Sequence, residues 1–230
     1  MIGLIGAMAV EVEGLMARME NRAERRIGMD TCVSGKLFGQ DAVLAVCGPG
    51  TVNAALCAQS MILAYHPEWV LNLGVAGAGD EDVSIGDMVI ATCAVQHDSD
   101  TSPLGDPVGL VSKVNLVEFP CDEGLGSRLE RAARRLDGVR VHRGVIATGD
   151  QFIHKGDVRR RIHDLFGAKA VEMEGAAVAH ACYVHGVPCG VLRSISDKAN
   201  GQSDMDYPTF VRMAAAHSQR VVQRLLEEKA

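Results

Sequence analysis

Apolar runs and amphipathic stretches alternate along this chain. Ile2-Gly3-Leu4-Ile5-Gly6 is a short continuous apolar run, as expected of a strand buried on both faces. The period then changes: Val12, Leu15, Met16 and Met19 recur at helical spacing, which predicts a helix over residues 10–19. Residues 41–47 form a second strand-like run, Gly48-Pro49-Gly50 turns the chain, and Thr51 is placed to N-cap an Ala-rich helix reaching residue 65. Residues 69–74 read as a strand, followed by a small-residue turn over 74–79. Further strands are predicted at 87–92, 143–148, 168–173 and 188–195. Helices are predicted at 127–136, with an exposed pattern, and at 157–165, 174–185 and 207–228. The polar stretch 97–109, with prolines and glycines, reads as a surface loop.

Strands alternating with helices predict an α/β protein: a three-layer α/β/α sandwich with a twisted, mostly parallel central sheet. No repeat or linker-like shift divides the chain, so one domain is expected over 1–230. The 47% hydrophobic content suffices for a large core, and the net charge of −6 argues against nucleic-acid or membrane-surface partners. Seven scattered cysteines without a CxxC pair point to reduced thiols and a cytoplasmic location. The N-terminus starts on the strand-like run with no basic segment, so no signal peptide is expected, and no apolar stretch is long enough to span a membrane.

The glycine turns do not amount to a cofactor loop. Gly48 and Gly50 are followed by Asn53 where GxGxxG needs glycine, and Gly74 has no glycine two positions on. They read as tight turns, or as surface that a sugar or base approaches closely. The cluster His97-Asp98-Ser99-Asp100 lacks a second cluster at metal-ligand spacing and reads as solvated loop. The run Arg159-Arg160-Arg161, with Asp157 and Asp164 nearby, reads as a solvated helix face rather than a phosphate grip. No cofactor and no metal are therefore expected.

Three acids stand out because each lies where an apolar run stops: Glu11, Glu174 and Asp197. Singly, each has an ordinary explanation as an exposed helix residue, a helix-dipole partner or a turn acid. Together they fit the carboxyl ends of strands, where open α/β sheets bind ligands. Such a set suits cleavage of a glycosidic bond through an oxocarbenium-like state, with an acid for the leaving base, a base for water and an acceptor for ribose hydroxyls. Phe152, one of few aromatic residues, follows the Gly149-Asp150 turn and offers a stacking face.

Ile5-Gly6-Ala7-Met8 with Glu11, Gly149-Asp150-Gln151-Phe152-Ile153, Val171-Glu172-Met173-Glu174 and Arg193-Ser194-Ile195-Ser196-Asp197 together resemble the purine nucleoside phosphorylase/nucleosidase superfamily, in particular its 5′-methylthioadenosine/S-adenosylhomocysteine nucleosidase branch. The resemblance runs in order over essentially the whole chain. It implies that Glu11 activates water and that Asp197 protonates the purine at N7. It implies that Glu174 and Met173 bind the ribose, that Phe152 stacks on the base and that Ile153 addresses its edge through backbone groups. Met8 and Tyr207 would flank the ribose and the 5′ substituent, with Val75, Ala76, Gly77, Glu172 and Ser196 also around the substrate. It implies a small-molecule nucleoside substrate and a homodimer, part of the 5′ pocket lying near the partner chain.

Two departures qualify the resemblance. Val75 stands where these nucleosidases usually have serine, which removes a hydroxyl near Asp197 and leaves a drier site, and dryness raises a carboxyl pKa. Pro49 replaces a more usual aliphatic residue. Phosphorylases of the superfamily hold phosphate with cationic side chains, typically an arginine before the turn after the third strand; here that stretch is Leu71-Asn72-Leu73-Gly74. Water is thus expected as nucleophile. The alternatives are a related nucleosidase of futalosine type, a phosphorylase, or a nucleoside-binding protein without catalysis, against which the retention of all three acids speaks.

Overall fold

The computed structural model describes residues 1–199 and 207–228. Ten strands and six α-helices follow in chain order: β1 (Ile2–Gly6), α1 (Ala9–Met16), β2 (Glu20–Ile27), β3 (Asp30–Leu37), β4 (Gln40–Val46), α2 (Thr51–Tyr65), β5 (Val70–Ala78), β6 (Met88–Gln96), β7 (Glu118–Pro120), α3 (Glu123–Ala133), β8 (Val141–Thr148), α4 (Gly156–Phe166), β9 (Ala168–Glu172), α5 (Gly175–His185), β10 (Cys189–Asp197) and α6 (Tyr207–Glu227). A 3₁₀ turn, Ser102–Leu104, interrupts the loop after β6.

The α/β class holds, but the sheet is mixed rather than mostly parallel. β1 runs parallel to β4 and β5, β5 to β10, and β8 to β6 and β9. The pairs β10–β6, β5–β9, β2–β3, β3–β4 and β6–β7 are antiparallel. Two of these antiparallel contacts close a ring, because β5 pairs β10, β10 pairs β6, β6 pairs β8, β8 pairs β9 and β9 returns to β5. From β5 an open wing continues through β1, β4, β3 and β2.

Central strands are apolar on both faces because helices cover both. β1 and β10 are buried at every position. On one face α2 and α5 pack against each other through small side chains such as Ala54, Ala58, Ala176 and Ala179, in one apolar core. On the other, α1, α3 and α6 close a core built on Leu4, Leu44, Leu73, Leu129 and Leu225. The helix α3 is not the exposed one expected: Leu125, Leu129, Ala132 and Ala133 are buried, and its N-cap is Asp122, whose carboxylate accepts the N–H of Leu125 at 2.7 Å.

The hairpin β2–β3 and the short β7 are elements the apolar pattern did not predict. β2 reads Glu-Asn-Arg-Ala-Glu-Arg-Arg-Ile and is exposed along nearly its whole length, so no burial pattern marks it. Its charges suit a sheet edge, where they discourage pairing with another chain. Residues 74–78 of the expected turn are instead the last part of β5. The N-cap of α2 is Gly50, not Thr51, which is the first helical residue.

Candidate active site

The site forms where the β5 end of the ring meets the ends of β1, β9 and β10. A cavity of about 160 Å³ opens there, lined by Ala7, Met8, Glu11, Pro49, Val75, Ala76, Gly77, Gln151, Phe152, Ile153, Val171, Glu172, Met173, Glu174, Ser196 and Asp197. The fold thus gathers on one cavity the expected residues of β5, β9 and β10 together with Met8 and Glu11 after β1, Phe152 and Ile153 after β8, and Met173 and Glu174 after β9. Tyr207 begins α6, and the expectation for its side chain lies outside the described residues.

Glu11 is held by the turn that links β1 to α1. Met8 is the N-cap of α1, and Glu11, three residues on, folds its carboxylate back to that cap. Oε2 accepts the N–H groups of Ala7 at 2.7 Å and Met8 at 2.9 Å, and Oε1 accepts the N–H of Val75 at 3.0 Å. Burial pushes its carboxyl above the ordinary range; the N–H of Met8, the charge of Arg193 and the N–H groups of Val75 and Ala7 pull the other way.

Glu174 sits at the N-cap of α5, two residues beyond the end of β9. It accepts the N–H of Gly50 at 2.9 Å. Burial first, then the neighbouring Glu172, pushes its carboxyl up to about 7; Arg193 and the Gly50 N–H oppose the rise, and Glu11 adds to it.

Asp197 ends β10. Its Oδ1 accepts the N–H of Ala199 at 2.8 Å, and its Oδ2 accepts the Ser196 hydroxyl at 3.0 Å. Burial raises its pKa, and those two donors lower it. The hydroxyl beside Asp197 therefore comes from Ser196, while position 75 serves Glu11 through its backbone N–H. Phe152 remains 56% exposed at the cavity mouth, and Ile153 is buried beneath it in a small apolar cluster with Ile162 and Val171.

The glycines of β5 let carboxylates meet the strand. A Cβ on Gly74 would lie 2.6 Å from Oε1 of Glu11, and one on Gly77 would lie 2.9 Å from Oδ1 of Asp197. The small-residue stretch is therefore strand backbone stripped for close approach.

Glu172 behaves unlike its neighbours. It accepts the Thr148 hydroxyl, the Glu174 N–H at 3.0 Å, the Gly175 N–H at 2.8 Å, and both Nε (3.1 Å) and Nη2 of Arg193. Arg193 is itself buried, and its Nη1 donates to the carbonyls of Asn72 at 3.3 Å and Leu192 at 3.0 Å, with Nη2 also reaching Oδ1 of Asn72. Asn72 in turn donates to the carbonyl of Ile5 at 3.0 Å. Glu172 lines the cavity, yet its acceptors are spent on the protein. The group Arg193–Glu172–Asn72–Thr148 is a buried framework that ties β1, β5, β8, β9 and β10 together behind the two other glutamates. A sequence signal that could have found it is Arg193 in the middle of an apolar strand, because a buried arginine must be paired.

A family model described as the phosphorylase superfamily matches residues 1–227, and the chain belongs to that superfamily. Within it, the 5′-methylthioadenosine/S-adenosylhomocysteine nucleosidase of Actinobacillus succinogenes is 37% identical over 228 residues, covering 99% of this chain and 98% of the relative. The crystal structure of the nucleosidase of that name from Neisseria meningitidis, in complex with methylthio-immucillin-A, aligns with a TM-score of 0.94 at 34% identity over 99% of each chain. The futalosine hydrolase of Helicobacter pylori aligns with a TM-score of 0.93 at 34% identity, covering 99% of this chain and 97% of that one.

Proposed function

We propose that this protein is an N-glycosyl hydrolase that cleaves 5′-methylthioadenosine and S-adenosylhomocysteine, releasing adenine and a 5-thio-substituted ribose. The observation that carries this is the convergence of Glu11, Glu174 and Asp197 on one cavity, joined to full-length likeness with nucleosidases of that name. In this reading Glu11, fixed by three N–H groups, takes a proton from water as it attacks the anomeric carbon. Asp197, whose carboxyl burial holds above its ordinary range, gives a proton to N7 of the departing purine. Glu174 accepts the ribose hydroxyls. Phe152 stacks on the base, the backbone of Ile153 meets its edge, and Met8 and Met173 lie against the sugar. The chain works as one domain over 1–230, in the cytoplasm; its seven thiols are free, and among the described residues no helix is long and apolar enough to cross a membrane.

Water is favoured over phosphate because the described residues lining the cavity include no lysine or arginine. Arg193, the cation behind it, directs its guanidinium at Glu172 and Asn72. A phosphate dianion needs such donors. The test is incubation with a panel of nucleosides, with and without phosphate. Free adenine and a 5-thio-ribose at a phosphate-independent rate is the expected result. Ribose-1-phosphate products with saturation in phosphate would make the protein a phosphorylase, and preference for a futalosine-type nucleoside would transfer it to the other hydrolase class.

The protein also works as a homodimer in this reading. The supporting feature is the outer face of α2 and α5, where Val52, Leu56, Leu63 and Val184 are each more than half exposed. That face begins next to Pro49 at the cavity rim, so a second copy seated on it lies near the site. Sedimentation at micromolar concentration checks this: a dimer is expected, dissociated by Leu56→Glu, and a wild-type monomer contradicts it.

A further inference from the structure

Asp150 is exposed and stands outside the cavity lining, yet it bonds Thr51, the residue next to the Gly50 N–H that grips Glu174. Its Oδ1 accepts the N–H of Thr51 at 2.7 Å, and its Oδ2 accepts the Thr51 hydroxyl at 2.5 Å. Its own N–H donates to Oδ2 of Asp98 at 2.7 Å, and the N–H of Gly50, one residue before Thr51, donates to Glu174. The chain of bonds thus joins the loops after β6, β8, β4 and β9. Gly50 has φ 103°, a conformation that glycine adopts without penalty but does not itself fix. A Cβ there would lie 3.1 Å from Oδ1 of Asp150, so the carboxylate rests directly against this glycine.

We propose that Asp150 is a positioning residue for ribose recognition, clamping the first turn of α2 so that the Gly50 N–H stays on Glu174. The proposal rests on the assignment of the ribose hydroxyls to Glu174 made above. Asp150 touches no substrate; it acts through Gly50 on the orientation and charge of Glu174. The same contact also caps α2, and the experiment has to separate the two roles. The charged and titratable groups that face Glu174 are Glu172 at the end of β9, Arg193 on β10, Glu11 on α1 and Cys47 after β4. The Gly50 N–H favours the ionised form against Glu172 and Glu11.

The test is steady-state kinetics on 5′-methylthioadenosine across pH for Asp150→Ala, Asp150→Asn and Thr51→Val, each also in the Glu174→Gln background. Misplacement of a binding group by about 1 Å costs up to ~100-fold, so Asp150→Ala should raise KM by ~10- to 100-fold with a smaller change in kcat. The acid limb of the KM profile should move to higher pH, because Glu174 loses a donor to its ionised form. Asp150→Asn, which keeps an acceptor for the Thr51 N–H, should recover most of the loss. Thr51→Val, which keeps that N–H and removes only the hydroxyl, should show a smaller effect of the same sign. In the Glu174→Gln background the Asp150→Ala loss should largely vanish. A lower Tm with unchanged KM and an unmoved acid limb would overturn the proposal and leave Asp150 a helix cap. If Glu174→Gln itself leaves KM untouched, the ribose assignment falls and the positioning role with it. If Glu174→Gln weakens binding and Asp150→Ala does not, the positioning role alone is overturned.

Discussion

At the α1 end of the cavity, Glu11 is caged by three backbone N–H groups with the guanidinium of Arg193 among the charges acting on it. At the β10 end, Asp197 has, among the described residues, one backbone N–H and one hydroxyl as donors and no cation among the groups that shift it. Burial raises both acids, but the opposing forces are stronger in number and charge at Glu11. Two carboxylates raised by burial in one cavity thereby have different surroundings, and differing surroundings are what can separate an acid from a base. In the proposed reaction, the carboxylate with more donors to its ionised form, Glu11, is the one that activates water. A similar contrast separates Glu172 from Glu174, two residues apart. One is saturated by Thr148, Arg193 and the α5 N–H groups; the other, with the Gly50 N–H, retains acceptor capacity for a ligand.

The largest effect expected is from Asp197→Asn. Removing a general acid should lower kcat by about 10²–10⁴-fold on 5′-methylthioadenosine while circular dichroism and Tm stay close to wild type. Near-normal turnover would mean the leaving base is protonated elsewhere.

Next in size is Glu174→Gln. Hydrogen bonds to a charged acceptor are worth about 1.5–3 kcal/mol, so kcat/KM should fall about 10- to 100-fold on ribosides. The comparison with 2′,3′-dideoxy analogues sharpens it: the variant should lose little against those. Equal losses on both substrate types would make Glu174 a structural residue like Glu172.

The smallest effect is on stability. The folded, ligand-free protein holds the Glu174 proton up to about pH 7, whereas the unfolded chain releases it near 4.5. The folded state therefore binds more protons in between, and this contribution to stability, full below pH 4.5, is lost as pH rises through 7. Glu11 and Asp197, also raised, act in the same direction. Denaturant unfolding should show wild-type stability declining between pH 4.5 and about 7, with on the order of 1–3 kcal/mol traceable to Glu174. Glu174→Gln should flatten that slope; an unchanged slope would show that Glu174 is ionised throughout.

The sequence made some of this legible and hid the rest for physical reasons. Runs such as Ile2 to Gly6 and the β10 stretch announced buried strands because both their faces are covered. The acids at the ends of those runs all line one cavity, the candidate site. The hairpin strand β2 was silent because an exposed edge strand has no apolar period. The stretch 74–79 misled because glycine signals turns as well as close approach, and here Glu11 and Asp197 occupy the space that Cβ atoms on Gly74 and Gly77 would fill. Thr51 had the composition of an N-cap, but its hydroxyl is taken by Asp150 from another loop, a contact between residues 99 positions apart that no local pattern encodes. The same holds for Arg193, Asn72 and Thr148, whose roles exist only once five strands are brought together.

The division of labour between the two ends of the cavity is tested most directly by changing the leaving group. On a 5-thioriboside bearing p-nitrophenolate, which departs without protonation, Asp197→Asn should keep a rate within about tenfold of wild type, despite its loss of about 10²–10⁴-fold on 5′-methylthioadenosine. Glu11→Gln, which removes the proposed base, should lose activity on both substrates. If Asp197→Asn is as impaired on the activated riboside as on the purine nucleoside, Asp197 does not act as the acid for the leaving base, and the contrast between the two carboxylates has no catalytic meaning.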